Sequence, residues 1–213
     1  PYNDRDRSGF GLDYPLIASA AFGLEGITAS ELRHMGISAK AEQGGARFNG
    51  TLADAYRANL WLRTADRVLI VLCECEATTF EDLFQAVSGI AWEKLLPRDA
   101  AIPVSGKCVR SRLMSVRDCQ AVAKKAIVNR LLERLKVSSL PETGVPYPIE
   151  IALRNDHLRV TLDLSGEALN RRGYRTWNGD APLRETLAAA LVMLSPWRPE
   201  LPLYDPCCGT GTL

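Results

Sequence analysis

The chain has 213 residues, 46% of them apolar and 24% charged, with 26 Lys and Arg against 25 Asp and Glu for a net charge of +1. That balance suits a globular protein able to bury a core, and it excludes a global basic field, so any nucleic-acid surface must be a local patch. No run of about 18 apolar residues is present, which excludes an evident membrane-spanning helix.

The opening stretch, "PYNDRDRSGFG", is charged, lacks the apolar segment of a secretion signal, and reads as a flexible leader or expression remnant (residues 1–13). "YPLIASAAF" (14–22) predicts a first strand, and "GLEGITASELRHMG" (23–36) a helix with Ile27, Leu32 and Met35 on one stripe and Gly36 as its stop. Two short strands are expected in 37–50 around Gly44-Gly45. "TLADAYRANLWLRT" (51–64) predicts an amphipathic helix capped by Thr51, with Leu52, Ala55, Tyr56, Leu60 and Leu62 as buried positions. "DRVLIVLCECEA" (66–77) follows as an apolar strand, completing a β-α-β-β-α-β order, the split-βαβ or ferredoxin-like plan.

A second block begins at 78 with two short helices broken near Ser88-Gly89 and closed by Pro97. A strand is expected over 100–111, then a long helix over 115–136. Its stripe is Cys119, Val122, Ala123, Ala126, Ile127, Leu131 and Leu135, and Ser115 with Asp118 opens it in capping-box style. After a loop at 138–148, residues 147–167 alternate as two strands turning at Asn155-Asp156. Residues 168–182 form a polar linker, 183–195 a helix, and Leu201, Leu203 and Tyr204 a short buried strand that Asp205-Pro206 ends.

"YDPCCGTGTL" then places Gly209 and Gly211 where a ligand can approach the backbone with no Cβ in the way, and Thr210 and Thr212 where they can cap a following helix. There is no lysine for a Walker loop and no third glycine for a dinucleotide fingerprint, so the glycine pair alone leaves a ligand loop and a plain turn equally open. The six cysteines, Cys73, Cys75, Cys108, Cys119, Cys207 and Cys208, lack zinc-site spacing and read as reduced structural thiols. His34 and His157 sit beside turns as surface residues.

Three strings taken together resemble one family. "DPCCGTGTL" resembles the Asp-Pro-x-Cys-Gly-Ser/Thr-Gly-Thr motif of Rossmann-type nucleic-acid methyltransferases, "RRGYRTWNGDAPLRETLAAALVMLSPW" the segment leading into it, and "AYRANLWLRTADRVL" the N-terminal module of THUMP-domain RNA methyltransferases. The resemblance spans about 14–213 and is nearest to the bacterial 23S rRNA guanine-N2 group. It implies an α+β chain: a ferredoxin-like domain (14–77), a THUMP RNA-binding domain (78–167), a linker (168–182), and the first helix and strand of a Rossmann-type methyltransferase domain truncated at 213.

By the same resemblance, Asp205, Pro206, Cys208, Gly209, Thr210 and Gly211 hold the methionine end of S-adenosylmethionine. Thr210 keeps the hydroxyl of a common serine, and Cys207 is read as packing. Pro182, Leu183 and Arg184 line the pocket mouth, though Arg184 equally suits a helix surface. The family's Asn/Asp-Pro-Pro-Tyr/Phe base-holding motif is absent from the sequence, so the chain alone is expected to bind no cofactor and to catalyse nothing.

RNA binding is the activity left. Lys107, Arg110 and Arg112 end a strand; Arg117, Lys124 and Lys125 share a helix face away from its apolar stripe, an arrangement that suits phosphates or a merely solvated face. Arg130 and Arg134 fall nearer the apolar side and suit packing or ion pairs. Arg171, Arg172 and Arg175 suit RNA or a solvated linker; Tyr174 and Trp177 suit base stacking or anchoring. The expected partner is rRNA, alternatively tRNA, with no membrane and no DNA, in the cytoplasm. A tRNA guanine-N2 methyltransferase, a THUMP module for other chemistry such as tRNA thiolation, and a non-enzymatic RNA-binding module are the rival readings.

Overall fold

The computed structural model describes residues 12–173 and 182–213, which fall into two compact units. Unit 1 comprises the chain up to Leu69 together with Leu164–Leu213, and unit 2 is Ile70–Asp163.

Unit 1 contains β1 (Tyr14–Ala20), α1 (Glu25–His34), β2 (Ala39–Glu42), β3 (Gly45–Gly50), α2 (Leu52–Trp61) and the first part of β4 (Ala65–Glu76). Strands run in the order β2-β3-β1-β4, with β1 and β3 antiparallel, which is the split-βαβ plan. Gly45 makes that pairing possible, since a Cβ there would collide with the Ala18 carbonyl. Thr51 caps α2 in a full capping box with Asp54. Leu16, Ala18, Ala29, Leu32, Phe48, Ala55, Ala58 and Leu62 form the core.

Two helix phases differ from the sequence reading. On α1 the buried face carries Thr28, Ala29, Glu31 and Leu32, while Ile27 and Met35 are half-buried. Two of those buried residues are polar because they serve a network. The Glu31 carboxylate accepts from the Thr64 hydroxyl at 2.6 Å, the Thr64 N–H at 3.0 Å and Arg63 Nε at 3.0 Å, and the Thr28 and Thr64 hydroxyls meet at 2.8 Å. On α2 the small Ala55 and Ala58 face the sheet, which turns Tyr56 and Leu60 outward, and Leu52 is half-buried.

Unit 2 contains the rest of β4, then α3 (Phe80–Gly89), α4 (Trp92–Leu95), β5 (Val104–Val109), α5 (Val116–Leu135), β6 (Ile149–Arg154) and β7 (His157–Asp163). The order is β4-β7-β6-β5, with β5 parallel and β7 antiparallel to β6. Asn155 and Asp156 both take positive φ (50° and 63°), the two-residue turn that matches strand twist. β5 is shorter than the expected 100–111: Ala101 makes only an isolated bridge to Pro146. α5 buries Cys119, Ala123, Ala126, Ile127 and Leu131, with Val122 and Leu135 half-buried. Ser115 accepts from the Asp118 N–H at 3.3 Å, giving half of a capping box.

The last helix, α6 (Glu185–Leu194), belongs to unit 1. The strand expected at Leu201, Leu203 and Tyr204 does not form: these residues are 53%, 48% and 91% exposed and carry no strand pairing. A parallel strand exists only between neighbours that take its backbone groups and helices that cover its faces, and among the described residues nothing pairs with this one. Residues 174–181, with Tyr174, Arg175 and Trp177, lie outside the described residues.

Candidate cofactor loop and nucleic-acid interface

After α6 the chain reaches Asp205, whose Oδ1 accepts from the Cys207 N–H at 2.9 Å and starts the turn. The Gly211 N–H then donates to the Cys208 carbonyl at 2.7 Å, closing a tight loop. Gly209 and Gly211 both take positive φ (52° and 66°), a backbone that side-chain-bearing residues rarely adopt. A Cβ at Gly211 would meet nothing within 4 Å, and one at Gly209 only the Cys207 carbonyl at 3.9 Å, so the loop faces open space.

That space is a cavity of about 370 Å³ lined by Pro182, Leu183, Asp205, Cys208, Gly209 and Thr210, with Cys207, Thr212 and Leu213 completing its wall. The structure therefore brings the loop and the Pro182-Leu183 step together across more than 20 residues of sequence. Pro206 and Gly211, both expected to hold the cofactor, belong to the loop without lining the cavity, and the Gly211 N–H is used in closing the turn. Arg184 does not line it either: its guanidinium faces Asp66 at 4.0 Å, on the N-terminal side of α6. Cys207 is exposed and faces the cavity instead of packing, because the Asx turn at Asp205 swings it outward. Thr212 and Leu213 are wall residues that sequence reasoning assigned no binding role. Among the described residues Asp205 is the one acidic side chain that lines the cavity.

The basic residues of unit 2 sort into two kinds. Arg110, which has positive φ (49°), and Arg117 and Lys125 on α5 are exposed, with no side-chain partner among the described residues. Lys107 and Arg112 are also exposed but paired, to Glu150 at 2.8 Å and Asp156 at 3.9 Å. Lys124 departs from the helix-face reading. Its Nζ donates to Glu142 at 2.6 Å and to the Ile102 carbonyl at 2.9 Å, and its side chain is 32% exposed. Hydrogen bonding from this ammonium holds the Glu142 carboxyl below its ordinary range. Lys124 thus fastens the loop before β6 to the segment before β5. Arg130 pairs with Glu93 through two bonds of 3.0 Å and donates to the Ser88 carbonyl at 2.7 Å. The Arg130 guanidinium holds the Glu93 carboxyl down at about 2.

In unit 1, Arg172 is not a plain linker charge: it donates to the carbonyls of Leu60 and Leu62 at the end of α2. Arg171 is exposed, and Arg175 lies outside the described residues. His34 and His157 are exposed. Burial pushes the Cys119 thiol up to about 12 and the Cys73 thiol to about 11, so both stay protonated; all six cysteines are free. Among the described residues there is no cluster of metal-ligating side chains and no helix long and apolar enough to cross a membrane.

Three family models match the chain in succession: the RlmL ferredoxin-like domain at 15–69, the THUMP domain at 77–163 and the RMKL-like methyltransferase domain at 172–213. This is a THUMP architecture running into a methyltransferase domain. The Bacillus subtilis (strain 168) protein "Putative RNA methyltransferase YpsC" is 46% identical over 202 residues, covering 94% of this chain and 52% of that protein. A Synechocystis relative, "Putative RNA methyltransferase slr0064", is 36% identical over 200 residues, 93% of this chain and 52% of that one. Among solved structures, a "predicted N6-adenine-specific DNA methylase" from Listeria monocytogenes superposes with a TM-score of 0.90 at 49% identity, over 94% of this chain and 53% of that one. "SMU.472, a putative methyltransferase complexed with SAH" gives 0.87 at 42% identity, over 94% and 53%. The chain is thus similar along its length to THUMP-containing methyltransferases, and it spans about half the length of the curated relatives it matches.

Proposed function

We propose that this chain is the RNA-binding front part of an S-adenosylmethionine-dependent methyltransferase acting on 23S rRNA, at a guanine exocyclic amine, in the cytoplasm. Its working domains are then 14–77, 78–167 and the start of the methyltransferase domain at 183–213. The observation that carries the reading is the coupling of a THUMP match to a glycine loop whose cavity also takes in Pro182 and Leu183. An SAH complex of a 42% identical neighbour supports the cofactor class. S-adenosylmethionine supplies an activated methyl group when bound; the residues here would grip only its amino-acid end, through the loop backbone at Cys208, Gly209 and Thr210 and the wall of Pro182 and Leu183. Asp205 shapes that loop through its bond to the Cys207 N–H. Exposed Arg110, Arg117 and Lys125, with Lys107 and Arg112 beside them, and Arg171 in unit 1 are the phosphate-contacting candidates.

The chain's own residues supply the RNA-binding surface and the cofactor loop, and methyl transfer is assigned to the protein as a whole, of whose curated relatives this chain spans about half. Filter binding with a 23S rRNA transcript, total tRNA and single-stranded DNA as competitors tests the substrate class. The reading expects rRNA to compete best and DNA worst. Equal competition by DNA overturns the RNA assignment.

A further inference from the structure

Unit 1 carries a groove of about 1030 Å³ where the C-terminal ends of α1, α2 and α6 meet, with the apolar Ile27, Met35, Met193 and Leu194 in its lining. Leu60 and Trp61 lie in it, each 70% exposed, and no hydrogen bond occupies the Trp61 indole N–H among the described residues. Arg33, His34, Arg63 and Arg172 line the same groove. Among the described residues one carboxylate lines it, Glu31, which is 8% exposed and already bonded to Arg63 and Thr64.

A second feature bears on what the groove attracts. Helix C-termini carry partial negative charge, which ordinarily repels an anion. Here both ends are covered by guanidinium groups. Arg57 donates to the Met35 carbonyl at 2.7 Å at the end of α1, and Arg172 donates to the carbonyls of Leu60 and Leu62 at the end of α2. Arg33 donates to the Ala39 carbonyl at 3.0 Å just beyond α1. The groove is therefore cationic where backbone alone would make it anionic.

We propose that this groove binds single-stranded RNA, with Trp61 stacking on a base and His34 and the exposed Arg33 and Arg63 meeting the flanking phosphates, each arginine keeping one guanidinium nitrogen on its protein partner. An exposed indole beside guanidinium groups is the chemistry that grips unpaired bases and their backbone together, whereas an apolar protein segment needs no such set of cations. The proposal rests on the reading that the chain binds RNA. It adds a binding surface on the ferredoxin-like unit, separate from the cations of unit 2.

The test is fluorescence anisotropy of the whole chain with a fluorescein-labelled 12-nucleotide oligouridylate at several salt concentrations. Stacking on one base supports roughly a ten-fold or greater loss of affinity in Trp61→Ala, while Trp61→Phe stays near the parent. The double change Arg33→Gln, His34→Gln lowers the slope of log affinity against log salt by about 0.7 for each phosphate no longer neutralised. It also serves if Trp61→Ala fails to fold, which melting curves will show. Parent-like affinity in folded Trp61→Ala, with an unaltered salt slope in the double variant, overturns the groove. If Arg110→Gln, Arg112→Gln, Arg117→Gln then loses affinity, RNA binding survives on unit 2; if the parent chain binds no RNA of any kind, both readings fail. Sedimentation covers the rival occupant: a chain dimer that Trp61→Ala dissociates, without change in RNA affinity, makes the groove an interface between copies and overturns the proposal.

Discussion

Replacing Lys124 with methionine separates holding the fold from holding RNA. The variant keeps the aliphatic stem and removes the ammonium that bonds Glu142 at 2.6 Å and the Ile102 carbonyl at 2.9 Å. Exposed ion pairs are worth about 0–1 kcal/mol, and breaking a fully buried one costs about 3–5 kcal/mol. With 32% and 34% of the two side chains exposed, this pair lies between those limits. A loss of about 1–2 kcal/mol is expected, a fall of roughly 5–12 °C in Tm for a domain of this size class. Thermal unfolding by circular dichroism measures it, and a cycle with Glu142→Gln should return a coupling of about 1 kcal/mol. The pH dependence has a defined sign. The folded Glu142 carboxyl titrates below its unfolded value, so its stabilisation is present above the ordinary glutamate range and fades as pH falls through the folded value. Lys124→Met should therefore lose less stability than the parent over that acid window. Its RNA salt slope should equal the parent's. An unchanged Tm combined with weaker RNA binding would refute the structural role and return Lys124 to the phosphate-contacting face.

Three further expectations follow from the same geometry. Arg110→Ala, Arg117→Ala, Lys125→Ala should weaken RNA binding and flatten the salt slope by roughly one for each phosphate no longer neutralised, with Tm within about 2 °C of the parent because these side chains are exposed; a parent-like slope would move the interface off α5. Glu93, held down at about 2 by Arg130, contributes stability that is present above the unfolded glutamate range and lost as pH falls towards 2. Glu93→Gln should thus be less stable than the parent at pH 7 and converge on it near pH 2, and a gap that persists there in acid melts contradicts the assignment. Iodoacetamide at pH 8 followed by peptide mapping should modify exposed Cys207 and Cys208 first and leave Cys119, with its thiol at about 12, unmodified in the folded chain.

What the sequence made legible was local. Thr51 caps α2 as its position predicts, the structure adding Asp54 as the other half of the box, and Asn155-Asp156 occupies a two-residue turn that few other residues tolerate. The glycine loop was legible for the same reason, since positive φ at 209 and 211 is a property of those residues. What failed depended on partners distant in the chain. The stripe Ile27, Leu32 and Met35 left Glu31 out, and it is buried because Thr64, 33 residues away, meets it. Leu60 reads as core from spacing alone, but the small Ala55 and Ala58 let the sheet approach on their side and leave Leu60 70% exposed. The strand expected at 201–204 has the right apolar residues but, among the described residues, no neighbour to pair with, and pairing, not composition, makes a strand.

The same distinction governs the charges. A net charge of +1 gives no field to steer RNA, so affinity depends on which cations remain available after the fold has used its share. Lys124 and Arg130 each bond both a carboxylate and a backbone carbonyl, which ties two segments of unit 2 together in each case. Arg172 does comparable work in unit 1 with two carbonyls. None of the three can turn to a phosphate without leaving a partner unpaired, at a cost of about 1–3 kcal/mol for each group left buried. Arg110, Arg117 and Lys125 carry no such cost. Helical spacing placed Arg117, Lys124 and Lys125 on one face as equals; the hydrogen bonds divide them into one residue that holds the fold and two that are available to a ligand.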